Sequence, residues 1–459
     1  MDRKEEAADL ARGLAEAAER NARWRRSECM NLIPSEQPTS AFVDQLISSE
    51  PAARYNEHNR DKSRPPDAPH VRYYQGTDFI MEKEEDLKTA LRFFFGCRQV
   101  ETRVISGQMA NEIVFDALKQ LKRNQRAADQ TGLLRCALIH SLKNGGHLSA
   151  QPMGALKNYV APDTESGAPV IHHFPCKRYN PYMVDVEKTK RLIGETRPDL
   201  LIFGRSVILY KEPVREIVQF IHNEFGANNP DRPLVMYDGA HILGLIGPNY
   251  QDPLVEGADI LTGSTHKTFF GPQRGIVLSN ITSDSAFYEL WLHIEARTFP
   301  GHVSNHHLGT LLGLLGATYE MIRYRDEYPK QVIANAKAFA KALADCGLVV
   351  EGDPGCWFTN THQVVLRADP AKGREKACIL EDNNVITNAQ ALYDDDGFAV
   401  ASGLRLGTQE MTRYGMKETD FRELAQLIAD IVSKGQSSGA WRENVVRMRK
   451  RFTRMQYCF

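Results

Sequence analysis

No stretch of the 459 residues is long and apolar enough to span a bilayer, so no transmembrane segment is expected. An excess of either charge is missing too: 57 Lys and Arg stand against 58 Asp and Glu, a formal net charge of -1 with a pI near 6.9. That balance supplies no positive field with which to hold a nucleic-acid backbone, and a small-molecule substrate becomes the expectation. The eight cysteines (Cys29, Cys97, Cys136, Cys176, Cys346, Cys356, Cys378, Cys458) include no Cys-x-x-Cys pair. Neither a metal site nor a disulfide framework is therefore expected, and a reducing cytoplasm fits. The first 25 residues carry Glu5, Glu6 and Asp9 and lack an apolar run, which argues against a secretory signal and a mitochondrial presequence. Internal repeats and low-complexity segments are absent as well.

What is present is the balance of an ordinary globular protein, with 42% hydrophobic and 25% charged residues. Single cores stop growing at roughly 250–300 residues, so one large and one smaller domain are expected. Residues 1–26 are rich in Ala, Glu and Arg, with Leu10, Leu14, Ala17 and Trp24 at helical spacing, and read as a charged amphipathic arm. Residues 55–70 are polar, contain Pro65, Pro66 and Pro69, and read as an irregular loop. Between about 85 and 280, helical patterns alternate with short apolar runs at 200–203, 234–237, 259–262 and 275–278. This predicts an α/β domain with a mainly parallel central sheet flanked by helices. Helices over 308–325, 334–346 and 420–433, with short strands between, predict a smaller C-terminal α+β domain. The basic stretch 442–459 reads as a solvated terminal helix. The expected division is a helical arm at 1–30, a large domain at 31–295 and a small domain at 296–459.

Two polar segments follow apolar runs directly: MYDGAH at 236–241 and TGSTHKT at 262–268. Parallel sheets bind ligands at the carboxyl ends of their strands, which is where these segments would fall. Lys267 offers an amine nucleophile for an aldehyde cofactor, and Asp238 a carboxylate able to keep a pyridine nitrogen protonated. Singly, such an aspartate is more often a cap and such a lysine a solvated charge. Together, with His241, Ser264, Thr265, His266 and the Gly271-Pro272 turn, the segments resemble the pyridoxal 5'-phosphate lysine motif of serine hydroxymethyltransferases.

The resemblance to this family of fold type I enzymes spans most of the chain. NLIPSE at 31–36 resembles its substrate-serine motif and so implicates Ser35, while Tyr55, Glu57 and RYYQG at 72–76 resemble motifs that implicate Tyr55, Glu57 and Tyr74 in substrate binding. Those elements usually reach a neighbouring subunit's site, which implies a homodimer. ISGQMAN at 105–111 resembles the phosphate turn, with Ser106, Gly107 and Gln108 as contacts at a helix start. GGHL at 145–148 puts His147 where the family stacks a histidine on the cofactor ring, and GRS at 204–206 puts Ser206 near the ring oxygen. LRLGTQEMTR at 404–413 puts Arg405 where the family holds an amino-acid carboxylate, a task suited to a guanidinium fork. Lys267, Asp238, His147, Glu57 and Tyr55 are the implied catalytic residues; Ser206, His241, Ser264 and His266 join the implied cofactor contacts.

The match breaks at FPGHVSNHH (299–307), at residues 58–70, which read as an insertion, and at Gln273 before Arg274. These departures surround the expected folate entrance and put tetrahydrofolate dependence in doubt. THKT with GPQRG, the Ser304-Asn305 pair, FTNTHQV at 358–364 and RLGTQEMTRYGM at 405–416 look closer to threonine transaldolases and related enzymes of natural-product pathways. The expected activity is aldol or retro-aldol chemistry at the Cα of an amino acid, with Glu57, Tyr55 or His147 carrying protons. The alternative on the same scaffold is decarboxylation with oxidative deamination, β-elimination or transamination of a modified amino acid. A catalytically silent scaffold is disfavoured by Lys267, Asp238 and Arg405.

Overall fold

The computed structural model describes residues 3–59, 71–126, 131–397, 400–435 and 439–459. The expected insertion lies mostly outside them, at 60–70. Its described ends pair as a short antiparallel ribbon, His58–Asn59 against Val71–Arg72. Two compact units emerge, Ser35–Lys330 with Tyr457–Phe459 and Met1–Pro34 with Gln331–Gln456. The limits 30/31 and 295/296 stand as a proposal about folding domains.

The larger unit is built on a seven-stranded sheet. In chain order its strands are β1 (Gln99–Glu101), β2 (Ala137–Ile139), β3 (Ile171–His173), β4 (Leu200–Phe203), β5 (Leu234–Asp238), β6 (Ile260–Ser264) and β7 (Gly275–Ser279), arranged β1-β7-β6-β5-β4-β2-β3. Every neighbouring pair from β6 to β3 is parallel, and β7 alone runs against both its neighbours. Strands β4, β5 and β6 are buried along their whole length, as their continuous apolar runs require of central parallel strands. The register sets Asp238 opposite Thr262, so the carboxyl ends of β5 and β6 deliver Asp238 and Ser264 to the same edge of the sheet.

Helix α4 (Gly107–Gln125) covers one face with Ala110, Ile113, Val114, Ala117, Leu118 and Leu121, the i, i+3, i+4 stripe of an amphipathic helix. Each of the Ile, Val and Leu side chains in this stripe, fully buried, contributes on the order of 1.5–3 kcal/mol. Helix α8 (Leu308–Arg323) belongs to this unit because Gly309, Gly313 and Gly316 let it lie against α2 (Ala41–Ile47). A Cβ on Gly309 would stand 2.2 Å from the Ile47 carbonyl oxygen.

The smaller unit holds a four-stranded antiparallel sheet of Val349–Val350, Gln363–Arg367, Gly403–Gly407 and Asn388–Gln390 in that order. Its first helix, α1 (Arg3–Ser27), buries no side chain, and Glu5 and Glu6 at its start with Arg25 and Arg26 at its end complement the helix dipole. Trp24 Nε1 ties that end to Asn384 Oδ1 at 3.0 Å. The helix expected from 334 starts earlier, at Glu327, since Pro329 is compatible with a first turn. The reading of 442–459 as a solvated helix is corrected here. The helix is Gly439–Arg449 and buries Val445, Met448 and Arg449. The Arg449 Nε donates to the Cys29 carbonyl at 3.0 Å and its guanidinium lies 4.2 Å from the Tyr414 ring centroid. A run of basic residues hid an arginine whose work is internal.

Candidate active site

Beyond β6 the chain makes a tight turn before entering β7, and Lys267 stands half-buried on it. Both flanks are pinned. Gly271 N donates to the Thr265 carbonyl at 2.8 Å, and the Thr265 hydroxyl donates to the Pro272 carbonyl at 2.6 Å and accepts from Arg274 N at 3.1 Å. On the other side the Thr268 hydroxyl donates to the His241 carbonyl at 2.9 Å and accepts from Gly244 N at 3.1 Å. Buried hydroxyls with both roles filled make the turn expensive to deform. Burial, reinforced by the Lys267 charge, holds the neighbouring His266 imidazole down at about 4, so His266 is neutral at pH 7. Its Nδ1 is buried with no hydrogen-bond partner among the described residues, an open position for an incoming polar group.

Asp238 ends β5 and is buried. Its Oδ2 accepts from Asn111 Nδ2 at 2.7 Å and Ser149 Oγ at 3.4 Å, and its Oδ1 from Ala240 N at 3.1 Å. Asn111 is held in turn, since its Oδ1 accepts from the Thr262 hydroxyl at 2.6 Å and its Nδ2 also donates to Ser149 at 2.9 Å. His147 brings Nε2 to 3.6 Å from Asp238 Oδ1, and its Nδ1 lies 3.1 Å from Ser206 Oγ. The His147 and His241 rings stack with centroids 5.5 Å apart. Gly204, just before the Ser206 turn, has φ 95°, and a Cβ there would meet the Asp238 carbonyl oxygen at 2.1 Å. Glycine is what lets the two strand ends approach.

The start of α4 completes this side. Ser106 caps the helix by accepting from Met109 N at 3.2 Å. A Cβ on Gly107 would stand 2.1 Å from Ser264 Oγ, so the first free N–H groups of α4 lie directly beside the end of β6. Ser106 and Gln108 are exposed there, leaving their polar atoms accessible to an anion. Ser106, Gly107 and Ser264 are thus brought together, as are Asp238, His147, Ser206 and His241, with His266 and Lys267 on the turn between Thr265 and Thr268.

Tyr55, Glu57 and Tyr74 form a second cluster, in which both tyrosines are exposed and Glu57 is half-buried. The Tyr55 and Tyr74 rings lie 5.6 Å apart, and the Tyr74 hydroxyl donates to Glu57 Oε2 at 3.2 Å. A buried network supports it from below. Arg72 pairs with Glu84, Glu84 also bonds His306, and Arg72 Nη1 donates to the Asn56 carbonyl at 2.9 Å. Asn305 Nδ2 donates to the Arg54 carbonyl at 3.1 Å. The 299–307 segment, where the family pattern breaks, therefore holds the backbone on which Tyr55 and Glu57 ride. Arg274 is fully buried, and its guanidinium donates to the carbonyls of His306 at 2.6 Å and Thr102 at 2.7 Å. Burial lowers it to about 10.

Ser35 is half-buried in a turn at the start of the larger unit. Arg405 lies in the smaller unit on the strand Gly403–Gly407, nearly buried, with Nε 3.4 Å from Asn388 Oδ1; burial lowers its guanidinium to about 10. A guanidinium so placed gains from a carboxylate ligand. Sequence reasoning missed Asn111, Ser149 and the locking roles of Thr262, Thr265 and Thr268. Asn111 sat inside the ISGQMAN motif, yet nothing local says that its amide faces an aspartate 127 positions away. Among the described residues no group of three or more His, Cys, Asp or Glu is arranged to hold a metal, and no helix is long and apolar enough to cross a membrane.

Comparison with known proteins adds an independent line. The family model described as serine hydroxymethyltransferase matches residues 9–428. The serine hydroxymethyltransferase of Thermococcus kodakarensis is 35% identical over 443 residues, covering 95% of this chain and 93% of the relative. That of Pyrococcus furiosus is 36% identical over 448 residues, covering 96% and 95%. Among solved structures, L-threonine transaldolase from Pseudomonas fluorescens superposes with a TM-score of 0.81 at 24% identity, over 99% of this chain and 95% of that one. The likeness in fold extends through both units.

Proposed function

This chain belongs to the serine hydroxymethyltransferase family, and from that premise we propose that Lys267, Asp238, His147 and Arg405 serve one aldol-type reaction at the Cα of an amino acid. It is a pyridoxal 5'-phosphate-dependent transferase of fold type I. The finer reading is hydroxymethyl transfer or a threonine-transaldolase reaction in natural-product metabolism, carried out in the cytoplasm by a homodimer.

The observation that carries the reading is the conjunction of a rigid turn bearing Lys267 with a carboxylate, Asp238, whose oxygens are fixed by Asn111, Ser149 and the Ala240 N–H. The residues suit the cofactor: an amine on a pinned turn, a buried carboxyl side chain, a neutral histidine with an open, buried nitrogen and a helix start where a Cβ on Gly107 would clash with Ser264. Bound there, the cofactor supplies a sink for the electron pair released when a Cα bond breaks. Asp238 sets a negative charge in place, and its three donors keep it from turning away. His147, held at Nδ1 by Ser206, supplies a flat face. Arg405 binds the substrate carboxylate, leaving the Cα–H and Cα–Cβ bonds as those to be broken. Glu57, hydrogen-bonded to the Tyr74 hydroxyl, and Tyr55 carry protons to and from the substrate. The exposure of Tyr55 and Tyr74 supports a role for this cluster in completing a neighbouring subunit's site, with Ser35 as a further substrate contact.

Product identity tests the reading. Incubation of the cofactor-loaded protein with L-threonine is expected to release acetaldehyde and glycine in equal amounts, with and without tetrahydrofolate. Release of ammonia or carbon dioxide without acetaldehyde would reject aldol chemistry in favour of deamination, elimination or decarboxylation. Conversion of serine to glycine only when tetrahydrofolate is present would restore folate as co-substrate.

A further inference from the structure

Thr268 follows Lys267 directly, and its carbonyl oxygen accepts a hydrogen bond from the Tyr328 hydroxyl at 3.1 Å. Tyr328 is fully buried near the start of the helix Glu327–Asp345. Its hydroxyl also accepts from Gln37 Nε2 at 3.3 Å, and its ring meets Phe270 edge-on at 5.1 Å. A third ring closes on it from a distant part of the chain. Tyr457 lies 5.5 Å from Tyr328 and 5.6 Å from Tyr324, edge-on to both.

Tyr457 has φ 57°, in the left-handed region that a bulky residue occupies only when its surroundings hold it there. The next two residues are tied as well. The Tyr324 hydroxyl donates to the Cys458 carbonyl at 3.2 Å, and Phe459 N donates to Glu320 Oε1 at 3.3 Å. Glu320 is fully buried and also accepts from Ser40 Oγ at 2.7 Å, while the Phe459 ring meets Phe42 edge-on at 5.8 Å. Each of three consecutive residues therefore has its own anchor on the larger unit.

From these contacts we infer that the segment Tyr457–Phe459 positions Lys267 through Tyr328. Ring packing fixes the phenol, the phenol's hydroxyl fixes the Thr268 carbonyl, and that carbonyl fixes the Thr268–Phe269 peptide plane, one residue beyond the lysine. The Thr268 side chain is already held by His241 and Gly244, so Tyr328 removes the remaining freedom of the same residue. A reacting amine gains from such restraint because small misplacements slow reaction sharply. Tyr328 and Tyr457 are positioning residues and touch neither substrate nor cofactor in this role.

The inference rests on Lys267 being the cofactor lysine, but its test does not need the cofactor. Backbone hydrogen exchange is followed in cofactor-free full-length protein, in peptides covering 265–271. Tyr328→Phe keeps the ring and removes the hydroxyl, and exchange is expected to quicken about tenfold, near the upper range for one hydrogen bond. Tyr457→Ala is expected to quicken it several-fold, and Tyr457→Phe, which keeps the ring, to restore the original rate. The double variant Tyr328→Phe with Tyr457→Ala is expected to exchange no faster than Tyr328→Phe alone, because the second effect passes through the first. Exchange within twofold of the original in Tyr328→Phe, or additive effects in the double variant, would overturn the inference. Failure of the Lys267 assignment looks different: cofactor attached to another lysine, with these exchange differences intact.

Discussion

Lys267→Ala is expected to lower turnover at least a thousandfold, roughly 4 kcal/mol of barrier, and to abolish the near-visible absorbance of cofactor bonded to an amine. The loss is chemical rather than structural. Lys267 is half-buried on a turn whose restraints include the Thr265, Thr268 and Tyr328 hydroxyls and the Gly271 N–H, none of which the substitution touches. Stability should therefore change by less than about 1 kcal/mol. Lys267→Arg provides the control. It keeps a cation at the position but offers no free amine, so it should be as inactive as the alanine variant; an active arginine variant would mean that charge alone matters. Full turnover in Lys267→Ala, measured alongside an unchanged melting temperature, would remove this residue from the mechanism.

Asp238→Asn ranks second, with an expected fall in kcat on the order of a hundred- to a thousandfold. The substitution preserves volume and removes the charge, and with it the partner proposed to keep the cofactor ring protonated. It also creates a local conflict. Asp238 accepts at both oxygens, from Asn111 and Ser149 on one side and Ala240 N on the other. An asparagine has a single acceptor oxygen, so one of these donors must face an NH2 group. Leaving such a buried donor unsatisfied costs roughly 1–3 kcal/mol of stability, which a thermal melt separates from the kinetic loss. Cofactor should still attach at Lys267, so the defect is expected in kcat. A variant with normal kcat would contradict the role given to Asp238.

Much of this site was legible in the sequence because parallel strands announce their own ends. The runs 200–203 and 234–237 are continuous and apolar, and the first polar residue after the second of them is Asp238. Lys267 was equally visible on the turn after Ser264. The supporting residues were not visible, for a physical reason: they act across the fold. Asn111 meets Asp238 across 127 positions, Thr262 meets Asn111 across 151, and His306 meets Glu84 across 222. Periodicity reports which face of an element is buried, but it does not report which buried polar group faces which. The same limit explains Arg449. Surrounded by other basic residues it read as a solvated charge, whereas Val445 and Met448 at i, i+3 spacing turn its face of the helix inward. Helix α8 was recognised as a helix, while the close approach to α2 through Gly309, Gly313 and Gly316 became evident only from the packed chain.

The central claim, that the chemistry of this chain is organised around one amine, is tested most directly by chemical trapping. Borohydride reduction of the cofactor-loaded protein, followed by proteolysis and mass mapping, is predicted to leave one equivalent of reduced cofactor on the peptide containing Lys267 and none elsewhere. Label on another lysine such as Lys143, or no label in a protein that still turns over its amino-acid substrate, would contradict the account.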